Sequence, residues 1–108
     1  MSKPGRTTAQ RLSDGLSWLA VAGHPDAWKE LKGNAEAEVK EALRDGLDAV
    51  AHLRRLASGD PPAVARHERA KPHVGELKRL LEAPGLDDGI HGAARAIVEA
   101  LGFAKPGG

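Results

Sequence analysis

The stretch NAEAEVKEALRDGLDAVAHLRRLASG, residues 34–59, decides the fold. Val39, Leu43, Gly46, Val50, Leu53 and Ala57 recur at alternating steps of four and three. A helix turning about 100° per residue gathers those positions on one face. Ala42, Leu47, Ala49 and Leu56 widen that face beyond a coiled-coil seam, to the width a bundle core needs. Asn34 suits the N-cap, Glu36 and Glu38 fall at the positive end of the helix dipole, and Arg54 and Arg55 at its negative end. Gly46 in the middle of the stripe costs about 1 kcal/mol relative to alanine. Either a close helix crossing or a tolerated defect accounts for it.

Downstream, Asp60-Pro61-Pro62 is a restart, with Asp60 as cap and Pro61 in the first turn. Ala63, His67, Ala70, Val74, Leu77 and Leu81 keep one phase across Pro72. That predicts a helix over about 61–83, kinked or broken at Pro72, with one buried face. Ala83-Pro84-Gly85 ends it. Asp87 or Asp88 then caps a last helix over 88–101, whose inner face is Ile90, Ala94, Ile97 and Leu101 and whose stop is Gly102.

Upstream, Thr7 or Thr8 caps a helix over 8–22 carrying Leu12, Leu16 and Leu19, stopped by Gly23. Pro25 opens a short helix near 25–32 with Trp28 and Leu31 inward, ended by Gly33-Asn34. The expected architecture is a compact all-α bundle of four main helices plus this short one. One domain over 8–102 is flanked by a flexible arm, 1–7, and a flexible tail, 103–108.

Composition agrees with that class. The 108 residues include 19 Ala and 13 Leu but only 6 Val, 2 Ile and three aromatics, Trp18, Trp28 and Phe103. Alanine favours helix and buries little area, so the core is thin and its stability modest unless a partner covers more surface. There is no cysteine, which excludes disulfides and thiolate chemistry. No signal peptide and no apolar run of about 20 residues is visible, so the expectation is a cytoplasmic protein without membrane contact, and a phage accessory protein would carry the same signature.

Catalytic and metal chemistry find no foothold. The five histidines, His24, His52, His67, His73 and His91, show no i,i+3 or i,i+4 pairing with one another, and Glu76 three residues after His73 makes no closed site. The carboxylate pairs Asp87-Asp88, Glu36/Glu38 and Asp45/Asp48 fall at helix starts or on the expected solvent face. No serine sits in a nucleophile elbow and no glycine-rich loop precedes a Lys-Ser/Thr pair. Neither an enzyme nor a cofactor or metal is expected. His67 holds an inward position, suited to a half-buried histidine bonded to a carbonyl or carboxylate, with a pH-sensitive element as the sharper alternative.

Charge distribution carries the functional content. Between residues 54 and 79 stand seven bases, Arg54, Arg55, Arg66, Arg69, Lys71, Lys78 and Arg79, against three acids; between 34 and 53 stand five acids against two bases. Trp18 departs by about 100° from Leu19, at the edge of its stripe, where tryptophan commonly anchors an interface. Those eight residues are the candidate interaction residues. The expected function is a noncatalytic helical adaptor, inhibitor or assembly protein that contacts another protein or a second copy of itself. The alternative is a small nucleic-acid-associated subunit gripping the phosphate backbone through the basic 54–79 region. A helix-turn-helix over residues 25–44 is disfavoured, because its second helix carries Glu36, Glu38 and Glu41.

Overall fold

A computed structural model describes residues 7–102, and within them the chain is an all-α bundle without strands. Helix α1 spans Thr8–Ala22, α2 Pro25–Leu31, α3 Glu36–Leu56, α4 Pro61–Glu82 and α5 Gly89–Leu101, with one 3-10 turn, Ala57–Gly59, between α3 and α4. The anticipated arm and tail, apart from Thr7, lie outside the described residues. Among the described residues no helix is long and apolar enough to cross a membrane.

The tightest feature is the crossing of α1 and α3. A Cβ added to Gly46 would lie 2.7 Å from the Gly15 carbonyl oxygen and 2.6 Å from the Leu19 Cγ; one added to Gly15 would lie 2.6 Å from the Asp45 carbonyl oxygen. Two backbones touch here, which only residues without side chains permit. The close crossing expected at Gly46 is therefore present, and its partner is Gly15. Leu19 lies over Gly46 and is fully buried, together with Leu43, Leu77, Ile90 and Ile97. These form one continuous core across α1, α3, α4 and α5.

Helices α1, α2 and α5 are further seated by polar contacts at their ends. Thr7 caps α1 in a reciprocal box with Gln10: the Thr7 hydroxyl accepts from the Gln10 N–H at 3.1 Å, and Gln10 Oε1 accepts from the Thr7 N–H at 2.9 Å. His91 of α5 donates its Nδ1–H to the Ala22 carbonyl at the end of α1, 2.8 Å away. Gly23 ends α1 in an ordinary right-handed conformation (φ −80°), so a left-handed stop is not its reason. A Cβ there would stand 2.9 Å from Arg95 Cα, so the glycine makes room for α5. Trp28 is 4% exposed and donates its indole N–H to Asp88 at 3.3 Å; Lys32 donates to the same oxygen at 2.8 Å. The short α2 thus exists because its ring enters the core and its polar edge is fixed to the start of α5.

Two capping expectations need correction, and a third is resolved between its alternatives. Ala35, not Asn34, is the N-cap of α3; the Asn34 side chain instead donates to the Glu30 carbonyl and closes α2. Asp60 and Asp88 hold N-cap positions without a side-chain cap bond. Asp88 is drawn away by Lys32 and Trp28, leaving Asp87 to accept from the Gly89 N–H at 2.6 Å. Of the two forms expected at Pro72, a kink or a break, the break is absent: α4 runs through it as one helix, with Pro72 exposed on the outer side. Leu56, expected to widen the core stripe, is 69% exposed because α3 ends there.

Alanine at Gly15 or at Gly46 is expected to destabilise the protein by about 1–3 kcal/mol, because backbone atoms must shift to admit the methyl group. Alanine at Gly75, a helical glycine with nothing within 4 Å of its Cβ position, is expected to stabilise by up to about 1 kcal/mol. Urea denaturation of the three variants measures both signs. Equal effects at Gly46 and Gly75 would contradict the backbone contact.

Candidate functional site

Helices α3 and α4 are antiparallel neighbours joined at both ends by polar contacts and parted in the middle. At one end, Lys40 of α3 donates to the Ala83 carbonyl and Arg44 to the Leu81 carbonyl, 3.2 Å away. Those are carbonyls left without intrahelical partners where α4 stops, and cations at a helix C-terminus also meet its negative dipole end. Lys40 is only 7% exposed and is also paired with Glu36 at 3.1 Å. Glu36 in turn accepts from the Gly85 N–H, and these contacts hold its carboxyl below the usual carboxylate range, the Lys40 bond most of all. At the other end Arg54 of α3 meets Glu68 of α4, which keeps the Glu68 carboxyl low by hydrogen bonding and by charge.

Between these ties lies an open cleft of about 350 Å³. Its apolar lining is Leu47, Val50 and Ala51 from α3 and Val74 from α4; its polar lining is Arg54, Arg55, His67, Lys71 and Lys78. No carboxylate lines it. The α4 contribution follows from helix geometry: His67, Lys71, Val74 and Lys78 are spaced i, i+4, i+7 and i+11, within about 40° of one line along the helix. Lys71 and Lys78 have neither an ion pair nor a hydrogen bond among the described residues, whereas Arg54 has Glu68 and Arg55 lies 3.4 Å from the His52 ring. Beyond Lys78 the cleft continues into a depression lined by Arg44, Asp48, Leu81 and Glu82, so its charge is polarised along its length.

The eight residues singled out from the sequence therefore separate. Arg54, Arg55, Lys71 and Lys78 come together around the cleft. Arg66 lines a neighbouring depression with Leu53, Leu56, Ala63 and Leu101, and His67 stands between the two. Arg69 and Arg79 are exposed and project from other sides of α4, about 200° and 120° around from His67, with Arg79 held 3.5 Å from Glu76. Trp18 is 40% exposed on α1, as its position at the stripe's edge suggests, and lines none of these clefts. Sequence reading missed the apolar floor, although the four-and-three spacing of the α4 residues carried the signal.

His67 is half-buried, yet among the described residues its ring finds neither the carbonyl nor the carboxylate expected for it. Burial and the nearby Arg54 and Arg66 charges push its pKa below the ordinary value of 6.5. Lys71 adds a further cation from α4, and Glu68, already bound to Arg54, is the adjacent acid. A histidine that protonates less readily when folded stabilises the fold fully above pH 6.5, and that stability declines as pH falls through 6.5 towards the lowered value. The His67→Asn variant is expected to lose less stability than wild type between pH 7.5 and the acidic carboxylate range. Urea midpoints across that window measure it, and parallel curves would remove His67 from the account.

No family model, curated protein or solved structure matches this chain, so the geometry of its own residues carries the functional reading.

Proposed function

We propose that this protein is a noncatalytic docking module, an adaptor, inhibitor or assembly protein, that holds another protein in the cleft between α3 and α4. One observation carries the reading: an open cleft with an aliphatic floor, ringed by cations, two of which have no bonded partner among the described residues. Apolar surface gains by being covered, at about 25 cal/mol per Å², and cations add orientation and a faster encounter. A protein segment supplies both an apolar face and charge. A phosphate backbone supplies only charge, and the bases furthest from the cleft, Arg69 and Arg79, point away from the others.

The thin core fits the same reading. Among the described residues twelve buried hydrophobic side chains larger than alanine make up the core, Leu47 and Val50 among them at 4% and 5% exposure, so a partner seated over half-buried Val74 and exposed Ala51 meets the edge of that core rather than an isolated surface patch. A second copy of the chain is one such partner.

Ala51 is exposed and lines the cleft, so a tryptophan there fills the cleft without disturbing the core. Wild type and Ala51→Trp, immobilised side by side in native cell extract, are expected to differ. Wild type retains a defined partner, or by light scattering itself, and Ala51→Trp loses it by about tenfold or more. Identical captures by both would overturn the docking reading. So would duplex DNA binding that falls steeply with salt and disappears in an Arg66→Glu/Arg69→Glu variant.

A further inference from the structure

We infer that the occupant of the α3–α4 cleft is an acidic amphipathic protein segment, apolar along one side and carrying carboxylates concentrated towards one end. This rests on the docking reading above and specifies its chemistry.

The floor sets the first requirement. Leu47, Val50, Ala51 and Val74 are aliphatic, and the lining holds no Phe, Tyr or Trp, its one ring being the imidazole of His67. Aliphatic side chains of the partner fit such a floor, whereas stacked nucleobases require an aromatic platform. The rim sets the second. Arg54, Arg55 and Lys71 converge at one end with no lining acid, and Lys78 stands further along. Arg54 has five N–H donors, enough to serve Glu68 and an incoming carboxylate together. Lys71 and Lys78 are seven residues apart, about 10 Å along α4, the separation of carboxylates two turns apart on a partner helix.

The far end sets the third requirement. Past Lys78 the lining adds Asp48 and Glu82 beside Arg44, whose guanidinium is already bonded to the Leu81 carbonyl, so the two acids disfavour a partner's carboxylates there relative to the acid-free Arg54–Lys71 end. Acids of the occupant therefore gather at the Arg54–Lys71 end, and neutral or basic residues lie over Asp48 and Glu82. Charge complementarity thus selects both the composition of the segment and its orientation in the cleft.

A random peptide library of about 12 residues, roughly three helical turns, displayed against the full-length protein tests this. Selection is run in parallel on wild type, on Ala51→Trp and on a Lys71→Glu/Lys78→Glu variant, each first shown by circular dichroism to be folded. The expected clones bind wild type about tenfold or more better than Ala51→Trp. They combine aliphatic residues three or four apart with clustered Asp or Glu, and they lose about tenfold in affinity on the charge-reversed variant. Clones that depend on the cleft but are neutral or basic would overturn the acidic occupant and leave the docking reading standing. A selection yielding no clone sensitive to Ala51→Trp would overturn both.

Discussion

The contact of two backbones at Gly15 and Gly46 is the constraint on which the rest depends. With Ala22, Ala49, Ala70, Ala93 and Ala94 buried and Trp28 the only buried aromatic among the described residues, the core fills space between helices only where they approach closely. Two helical glycines, each costing about 1 kcal/mol in propensity, allow α1 and α3 to do so, and Leu19 then closes over Gly46. With α3 committed to α1, and α5 lodged against α1 where Gly23 faces Arg95, α4 packs mainly on α5. The outer flank of α3 is consequently covered only at its ends. The cleft is what that packing leaves over.

Its two ends are closed by electrostatics rather than by apolar contact. Lys40 and Arg44 reach the final carbonyls of α4, and Pro84 explains why those carbonyls need them: the residue before a proline is pushed into extended backbone, and Ala83 has ψ 154°. A helix ended so abruptly leaves acceptors bare, and a buried acceptor without a donor costs about 1–3 kcal/mol. Two basic residues of the acidic half of α3 are thereby used structurally. At the other end Arg54 is likewise engaged, by Glu68, and Arg55 and Lys71 stand beside it on the lining of the cleft.

How much of this was legible in the sequence follows from what each residue interacts with. The helices, their Gly and Pro boundaries and the inward faces of α3, α4 and α5 depend on local spacing, which the sequence displays. Thr7 with Gln10 is similarly local. Gly15 is different: it keeps the three-and-four phase of Leu12, Leu19 and Ala22, but nothing local shows that its purpose lies 31 positions away at Gly46. Lys40 is a lysine in a charged run whose burial depends on the end of a helix 43 residues further on. Capping preferences are local and point Asn34 and Asp88 to the nearest helix start, yet Asn34 serves the preceding helix and Asp88 a long-range pair. Counting seven bases in a window ignored the 100° step per residue, which scatters Arg69 and Arg79 away from the four that meet at the cleft.

The unpaired ammonium groups also act by exclusion. Lys71 and Lys78 are exposed in the open cleft, so lacking an ion pair or hydrogen bond among the described residues costs the folded protein little, and the charge of Lys71 is already felt by nearby Glu68. An uncharged apolar segment laid over the same floor would strip the lysines of water without replacing it, and an uncompensated cation is expensive to cover. The gain from covering Val74 and Ala51 is then offset unless the occupant brings its own acceptors. Half-buried His67 sharpens the condition, since burial and the Arg54 and Arg66 charges already disfavour its protonated form, and a nearby carboxylate relieves the second effect but not the first. Selectivity of such a cleft comes less from the attraction of any one ion pair, each worth little at a surface, than from the penalty imposed on everything that arrives without carboxylates.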